Sequence, residues 1–504
     1  MSSFSQENAM ALFVYASRLL ILVFFLLKIY NFIRPSTKKN LPPSPPKLPI
    51  IGNLHQIGPL LHRSLHALAQ NYGGPVMLIH LGSVRTLVVS SADAAREIMK
   101  SKDLIFANRP ELKMWRKLLY DLKEVSVAPY GEYWRQVKSI MVVHLLSNKM
   151  VESSGEVRDE EIDSAVENIK KSSNGVVDLS DLFVTLTNDV ICRVTFGRKY
   201  NEGESGSNFK KMLREFFELL GGLNLEDLVP RLAWVDRLRG LNDKIDRVAS
   251  EIDEFLEGKV EERMMGRGCC GSGREDFIDI LLKIQKDDSI GVTLDRVAIK
   301  ALLLDAYTAG TDTTATVLEW TFTELLKHPK ILKKVQEEVR MVMKGKQHIN
   351  QTDVNKMTYL KAVVKESLRL HPPIPTLVPR VANQDVKVMG YDVPKGTRVI
   401  INAWAIARDP KVWDDPDEFQ PERFLDCSID FKGQDFDLIP FGAGRRGCPG
   451  IAFAMATDEN VLANLLHKFD WKLPNEDEDS LDMNEQPGLT VRKKVPLVAV
   501  ATPF

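Results

Sequence analysis

Hydrophobic positions recur every three to four residues along most of the chain, which is the period of a helix with one buried face. Residues 159–171, DEEIDSAVENIKK, and 331–345, ILKKVQEEVRMVMKG, carry this pattern clearly. No internal repeat and no low-complexity tract interrupts it. The pattern predicts a mainly helical protein.

Strand signals are confined to a few places. Residues 76–91 predict a hairpin with its turn at 82–83, and residues 386–402 predict another with its turn at 394–396. A last pair of strands is expected within 488–502. The predicted fold class is therefore mainly α with small β-sheets.

The longest helical signal covers residues 293–329, which we expect Thr293 to cap and His328-Pro329 to end. At 1.5 Å per residue it would run roughly 50 Å, enough to cross a whole domain. Its centre, AGTDTT at 309–314, is polar between apolar flanks. Threonine hydroxyls can bond back to carbonyls and loosen the ladder, so we expect a kink there. The centre is either a buried notch that handles water or oxygen, or a polar seam facing solvent.

The N-terminus is different, because residues 10–33 are mostly apolar over about the 20 residues that span a bilayer. Arg34, Lys38 and Lys39 follow, and the positive-inside rule places everything after them in the cytosol. No small-residue cleavage site follows the apolar run, which favours a retained membrane anchor at 1–34 over a removed signal peptide.

Residues 35–49 contain two Pro-Pro pairs, which favour a stiff, extended hinge. From 50 to 504 no change in composition marks a boundary, so we expect a single large domain. The net charge of −1 argues against a nucleic-acid partner. Five cysteines without paired spacing suit a reducing compartment. His62 and His66 have the spacing of a metal pair, but no third ligand follows, and a surface helix is the preferred interpretation.

The stretch PFGAGRRGCPG, 440–450, surrounds Cys448 with glycines and arginines. A metal-binding thiolate needs a positive, donor-rich setting, and the helix expected to start near Pro449 would point its positive end at the sulfur. One thiolate cannot hold zinc, which takes four ligands. It can hold an iron that a porphyrin already chelates, since haem-thiolate ligation needs one cysteine.

This stretch resembles the haem-binding signature of the cytochrome P-450 monooxygenases. The matching positions are Phe441, Gly442, Gly444, Arg446, Cys448 and Gly450. Four further segments resemble family motifs in the family's order: WRQVK (134–138), AGTDTT (309–314), ESLR (366–369) and PERF (421–424). The style of the sequence is similar to the plant A-type branch, which is anchored in the endoplasmic reticulum and serves specialised metabolism. The resemblance implies the cytochrome P-450 fold, with a single haem domain behind an N-terminal transmembrane helix.

The resemblance also implies roles for individual residues. Cys448 would be the metal ligand to haem b, and Thr313 with Asp312 would form a catalytic proton relay. The remaining expected haem contacts are Trp134, Lys138, Arg380, Arg446 and Phe441. Lys138 stands where relatives often have arginine, so it would act as a point charge rather than a fork. Glu366 and Arg369, joined by Arg423, would be a buried structural network rather than catalysts.

No GxGxxG motif follows a strand, so electrons are expected from a separate NADPH–cytochrome reductase. A basic face for that partner could come from Arg135, Lys138, Lys149 and Arg445. The implied location is the endoplasmic reticulum membrane, single-pass, with a luminal N-terminus and a cytosolic catalytic domain.

The segments that line the family's pocket are mostly apolar here, which favours O2 and a small hydrophobic metabolite, an alkaloid or terpenoid, as co-substrates. Hydroxylation, epoxidation, desaturation and oxidative cyclisation stay open as outcomes. Asp305 either attracts an amine or faces away. Two other functions stay open: a haem-thiolate isomerase that acts on a hydroperoxide, and a non-enzymatic haem carrier or sensor.

Overall fold

The computed structural model describes residues 39–504 except for seven short gaps, and four isolated positions nearer the N-terminus. The gaps are 172–174, 201–202, 223, 267–274, 288–293, 347 and 476–480. The isolated positions are 15, 18, 19 and 23. Of residues 203–210 the backbone alone is described.

Helices dominate the described residues, as the sequence predicts. They are α1 Leu61–Leu68, α2 Ala92–Arg96, α3 Lys113–Leu118, α4 Glu132–Ile140, α5 Asn148–Ser153, α6 Gly155–Lys171, α7 Leu179–Phe196, α8 Gly203–Gly221, α9 Leu225–Leu228, α10 Ala233–Leu238, α11 Leu241–Met264, α12 Phe277–Lys286, α13 Arg296–Lys327, α14 Pro329–Val342, α15 Gln351–Val354, α16 Thr358–Leu370, α17 Ala403–Ile406 and α18 Ile451–Lys468. The strands are β1 Val76–Leu81, β2 Val84–Val89, β3 Val176–Asp178, β4 Arg380–Val381, β5 Val386–Val388, β6 Tyr391–Val393, β7 Arg398–Ile401, β8 Phe469–Lys472, β9 Glu485–Gln486, β10 Arg492–Lys493 and β11 Val498–Pro503.

The strands form small sheets, and the largest has the order β1-β2-β7-β4. The first predicted hairpin is confirmed, because β1 and β2 pair antiparallel around 82–83. The second turn is wrong: β5 pairs with β6 around 389–390, and the turn at 394–396 leads instead to β7, which pairs in parallel with β2. The last pair is also different, since β9 pairs with β10 while β11 joins β3 and β8.

Helix α13 crosses the molecule as its longest element and packs against α7, α16 and α18. Its described start differs from the prediction: Asp295 caps it by accepting from the Ala298 N–H, and Thr293 lies outside the described residues. The end at His328 is confirmed. Helices pack against α13 along most of its length, so the polar centre is a local notch and not a seam that continues along the helix; at that notch Ala309 is exposed, and Gly310 and Thr313 are half-buried.

The predicted anchor, 1–34, lies almost entirely outside the described residues. Among the residues that the structure does describe, none of the helices is both long enough and apolar enough to cross a bilayer. The described part of the proline-rich segment, 39–49, is bonded to the body. The Leu78 N–H donates to the Pro43 carbonyl at 2.8 Å, and the Asp392 N–H donates to the Asn40 carbonyl at 2.7 Å.

His62 is buried rather than on a surface helix, which corrects the prediction. Its Nε2 lies 3.2 Å from a Glu485 carboxylate oxygen, and the Arg63 guanidinium donates to the same oxygen at 2.6 Å. Burial works to raise the pKa of Glu485, but these two partners hold it at about 2. The described cysteines, Cys192, Cys427 and Cys448, are free thiols.

Candidate functional site

The loop that carries Cys448 has a backbone that glycine alone accommodates. Gly442 and Gly444 have φ values of +67° and +69°, in the left-handed region that disfavours side chains. A Cβ on Gly444 would lie 2.1 Å from the Met99 carbonyl oxygen, so that position has no room for one. The Cys448 N–H donates to the Phe441 carbonyl at 3.0 Å. The crowding of glycines therefore folds the loop back on itself and presents the thiol.

The Cys448 sulfur lies at the end of α18 and accepts a hydrogen bond from the Gly450 N–H at 3.3 Å. The side chain has exposed surface, yet protein atoms surround it closely enough that burial raises the pKa of its thiol. The Gly450 N–H and the charge of Lys138 act against that rise. The sulfur is therefore closely surrounded by protein and yet accessible to a bound group. Because the protein alone does not ionise this thiol, a metal cation would supply the missing stabilisation.

Three guanidinium groups, from Arg109, Arg380 and Arg446, are buried beside this loop. Burial, together with the charge of Arg380, lowers the pKa of Arg446 to about 9, and burial lowers the pKa of Arg380 to about 10. Among the described residues, one carboxylate forms an ion pair with these three arginines: Asp103, whose oxygen lies 3.7 Å from Arg380 Nη1. The cluster thus carries uncompensated positive charge in a buried place, which suits a dianionic ligand.

Carbonyl oxygens hold the three arginines in position. Arg446 donates to the carbonyls of Ala107, Val125 and Ala128. The Arg109 Nε donates to the Ser126 carbonyl at 3.0 Å, and the Arg380 Nη2 to the Ala443 carbonyl at 3.1 Å. Carbonyls orient a guanidinium without neutralising it, so the charges remain available to an anion.

Trp134 and Lys138 come from the same face of α4 and both reach the cysteine loop. The Trp134 ring packs under the Arg446 guanidinium, 4.3 Å from its centroid, and its indole N–H donates to the Val125 carbonyl at 3.0 Å. Lys138 Nζ donates to the Gly447 carbonyl at 2.7 Å. That inward contact differs from the prediction of a Lys138 charge on a docking face, whereas Arg135, Lys149 and Arg445 are exposed.

Helix α13 has one uncovered side. Between 298 and 326 every residue is buried except Thr308, Ala309, Gly310 and Thr313. Their spacing places them on neighbouring turns, at the polar notch that the sequence predicts. The Thr308 and Thr313 hydroxyls donate to carbonyls four residues earlier, at 2.7 Å and 2.6 Å. The predicted back-bonding is therefore present, but residues 296–327 form one uninterrupted helix.

Asp312 is buried beside Thr313, and its carboxylate is directed at the C-terminal hairpin rather than at the Thr313 hydroxyl. The Thr490 hydroxyl donates to one of its oxygens, and the Arg492 guanidinium pairs with the other. Asp305, about two helical turns earlier, accepts from the Val125 N–H and is buried. Of the two interpretations of Asp305, the structure supports the one in which it faces away from the pocket.

Glu366 and Arg369 form the buried network that the sequence predicts. Both side chains have no exposed surface, and two guanidinium nitrogens of Arg369 donate to the carboxylate at 2.7 Å and 2.9 Å. Arg423 donates to the same carboxylate at 3.0 Å. This network joins α16 to the segment 407–423, which precedes the cysteine loop in the chain.

A comparison with known proteins decides the family. The family model for cytochrome P450 matches residues 42–499. The chain belongs to the cytochrome P450 family. It is similar to cytochrome P450 736A117 of Prunus mume, with 54% identity over 100% of this chain and 97% of the relative. It is also similar to a norfluorocurarine oxidase from a Strychnos species, with 48% identity over 97% of each chain. A zebra fish cytochrome P450 solved with abiraterone shares the fold, with a TM-score of 0.73, 28% identity, and coverage of 88% of this chain and 99% of that chain.

As a cytochrome P450 with plant relatives, the protein is an oxidoreductase, a monooxygenase. Its cofactor is haem b held by a cysteine thiolate. The residues present fit that group: the Cys448 thiol is accessible, and beside it three buried guanidinium groups have one carboxylate, Asp103, as an ion-pair partner among the described residues. Two propionates would supply the negative charge that the cluster lacks.

Sequence reasoning missed three members of this cytochrome P450 site: Arg109, Thr490 and Arg492. Arg109 had a weak signal, as a lone arginine before a proline within a mostly apolar segment. Thr490 and Arg492 had no such sequence signal. Thr490 lies 178 residues from Asp312, and both contacts form only when the β9–β10 hairpin packs on α13.

Proposed function

We propose that the protein oxidises a small hydrophobic plant metabolite at a haem held by Cys448. The observation that carries this proposal is the accessible Cys448 sulfur beside the cluster of unneutralised buried arginines. When bound, the haem supplies the oxidising chemistry, and the thiolate ligand favours O–O cleavage. The protein's own contribution is to hold the group, orient the substrate, exclude water and deliver protons.

In this proposal Cys448 is the metal ligand, and Arg109, Arg380 and Arg446 bind the propionates. Trp134 keeps Arg446 in place through its ring, and Phe441 closes the loop by accepting from the Cys448 N–H. Lys138 acts through the Gly447 carbonyl and through its charge, which favours the ionised form of Cys448. If each of the two propionates pairs with one of the three guanidinium groups, the third guanidinium can donate further hydrogen bonds to either of them.

Thr313 and Asp312 are proposed as the proton relay. The Thr313 hydrogen is directed at the Ala309 carbonyl, so its oxygen can accept a hydrogen bond from a water on the uncovered side of α13. Asp312, the adjacent carboxyl, would pass protons to that water when it leaves Thr490 and Arg492. Arg492 keeps a third of its side chain exposed, which connects this pair to solvent.

The chain's own organisation agrees with a membrane-bound enzyme served by a separate reductase. We propose that 1–34 is the anchor, 35–49 a stiff hinge and 50–504 the catalytic domain on the cytosolic side of the endoplasmic reticulum. The sequence lacks a dinucleotide-binding motif, and we propose that the exposed side chains of Arg135, Lys149 and Arg445 give a basic surface on the cysteine side, where Arg445 also pairs with Asp103 at 3.1 Å. That surface suits an acidic reductase.

The substrate is proposed to be an alkaloid or a terpenoid. A relative with 48% identity is named as an oxidase of norfluorocurarine, an alkaloid. The uncovered side of α13 is lined by threonine, alanine and glycine, which offer hydroxyls but no charge to a ligand. A carboxylate that would select a strongly cationic amine is missing from that side, because Asp305 faces Val125.

The test is expression in yeast microsomes with a plant NADPH–cytochrome reductase and panels of alkaloids and terpenoids. The reduced carbon-monoxide spectrum should show thiolate-ligated haem in the wild type and lose it in Cys448→Ala. A product one oxygen heavier, or two hydrogens lighter, that requires NADPH supports the proposal. Turnover of a hydroperoxide without NADPH would instead support the isomerase, and a ligand-binding haem protein without any turnover would support the carrier.

A further inference from the structure

The segment that leads into β10 lies on α13, and a tryptophan about two turns after Asp312 holds it there. The Trp320 indole N–H donates to the Val491 carbonyl at 3.0 Å, and the Trp320 side chain is buried. Val491 stands between Thr490 and Arg492, the two residues that contact Asp312. The bond from Trp320 therefore helps to determine where those two side chains lie relative to the carboxylate.

The Trp320 ring is itself fixed by His371. The two rings stack with their centroids 4.1 Å apart and within 2° of parallel. His371 Nε2 in turn lies 2.6 Å from a carboxylate oxygen of Glu324, which is buried one turn after Trp320 on α13. These three side chains form the Trp320 stack. Because a bonded ring covers one face of the indole, the indole N–H stays directed at Val491.

The segment that follows α16 holds Val491 from the other side. His371 comes directly after α16, and Pro372 and Pro373 follow it. The proline rings fix φ, so this segment is stiff. The Val491 N–H donates to the Pro373 carbonyl at 2.9 Å. Both backbone polar groups of Val491 are thus held, the carbonyl by α13 and the N–H by the segment that carries His371.

The rest of the β9–β10 hairpin has contacts that do not involve the Trp320 stack. In β10 the Lys493 N–H donates to a Glu319 carboxylate oxygen at 3.2 Å. In β9 the Glu485 carboxylate accepts from the Arg63 guanidinium at 2.6 Å. We therefore expect the hairpin to remain docked when the bond from Trp320 is lost, with a shift of the segment before β10 rather than its unfolding.

We propose that the Trp320 stack positions this hairpin for the proton relay: by holding Val491, it keeps Arg492 on Asp312. Its three members are positioning residues, because they act through the backbone of Val491. The inference rests on the proposed function, which assigns Asp312 to the relay and makes Arg492 its connection to solvent.

The consequence for the relay follows from burial. Asp312 is buried, whereas Arg492 keeps 34% of its side chain exposed and brings solvent to the carboxyl. A relay carboxyl must regain a proton after each turnover. When Val491 is released, Arg492 moves away from Asp312, and the carboxyl is left without that connection. Proton delivery then falls behind electron delivery, and less of the NADPH consumed ends in product.

The first measurement is amide hydrogen exchange of the full-length holoenzyme in detergent micelles, by mass spectrometry of peptides that contain 490–493. Trp320→Phe keeps a ring for the stack but lacks the indole N–H, and His371→Gln can still donate to Glu324 but cannot stack. Trp471→Phe is the matched control, because the buried Trp471 indole N–H donates at 2.9 Å to a carbonyl of α18, that of Leu465. We expect exchange about tenfold faster in both stack variants and unchanged exchange in the control.

The second measurement is product formed per NADPH consumed, with the reductase and a compound of the alkaloid and terpenoid panels that the wild type converts. This yield should fall about threefold or more in Trp320→Phe and His371→Gln, and stay at the wild-type value in Trp471→Phe. In an Asp312→Asn background, Trp320→Phe should cause no further loss, because the stack acts through that carboxyl.

The outcomes separate this inference from the proposed function. Unchanged exchange in either stack variant would overturn the inference, and so would an equal loss of yield in Trp471→Phe, since any buried tryptophan would then have the same effect. A further loss in the Asp312→Asn background would also overturn it, because the stack would then act by another route. A wild-type yield in Asp312→Asn alone would overturn the proposed relay, and a wild type that converts no compound would overturn the proposed function, and the inference with it.

Discussion

Replacing Arg369 with lysine should destabilise the protein although the charge is kept. Arg369 makes five hydrogen bonds: two to the Glu366 carboxylate, and one each to the carbonyls of Ala407, Pro416 and Glu418. Lysine has three donors, so at least two buried acceptors lose their partners. Since an unpaired buried acceptor costs about 1–3 kcal/mol, the expected loss is about 2–6 kcal/mol.

The loss would be measured by urea unfolding of the full chain in detergent micelles, followed by far-UV circular dichroism. Arg135→Lys is the matched control, because Arg135 is exposed and a surface exchange of this kind changes stability by about 0.5 kcal/mol or less. A loss below about 1 kcal/mol in Arg369→Lys would refute the reasoning, since it would show that water or a local shift satisfies the carbonyls that the guanidinium now reaches.

Three further predictions follow from other parts of the molecule. Burial raises the pKa of Glu459 to about 7, above 4.5 in the unfolded chain, so its carboxyl makes the wild type less stable as the pH rises. In Glu459→Gln the free energy of unfolding, measured with urea, should increase relative to the wild type by about 2 kcal/mol between about pH 5.5 and 8. A difference between the two proteins that does not change with pH would contradict this. Gly444→Ala should fold without retaining haem, seen as a lost Soret band, because its Cβ would meet the Met99 carbonyl; Gly396→Ala, at a similar positive φ with open space around it, should keep the band. Thr313→Val should lower product formed per NADPH consumed by about tenfold or more, while Thr313→Ser, which keeps the hydroxyl, should stay near the wild type; equal coupling in both would argue against a relay.

The fold elements that could be predicted from sequence are those whose signals are local. The hydrophobic period of α13 and the turn between β1 and β2 each depend on residues that lie within a few tens of positions of one another, and both predictions are confirmed. The turn at 389–390 was missed because Met389 adopts a positive φ of 49°, which its residue type does not announce. The competing turn signal at 394–396 is real, but it serves the pairing of β7 with a strand more than 300 residues earlier.

The candidate site divides in the same way. Cys448 and the notch at 309–314 carry their chemistry in short motifs, so sequence alone selects them. Arg109 acquires its partners from a segment that lies far from it along the chain, the carbonyls of Val378 and Pro379. A single arginine or glutamate in an apolar segment looks the same whether it ends in solvent or in a buried cluster.

The hydrogen bonds of Arg446 also determine when, during synthesis of the chain, the haem site can form. Its carbonyl partners at Ala107, Val125 and Ala128 precede it by 339, 321 and 318 residues. Those carbonyls leave the ribosome early, while the loop that needs them is made near the end of translation. A nascent chain therefore has no competent haem pocket until almost all of it has emerged. Premature termination anywhere before residue 446 would yield a polypeptide with no means of keeping its cofactor, even when it ends just short of that residue and has all the described helices except the last.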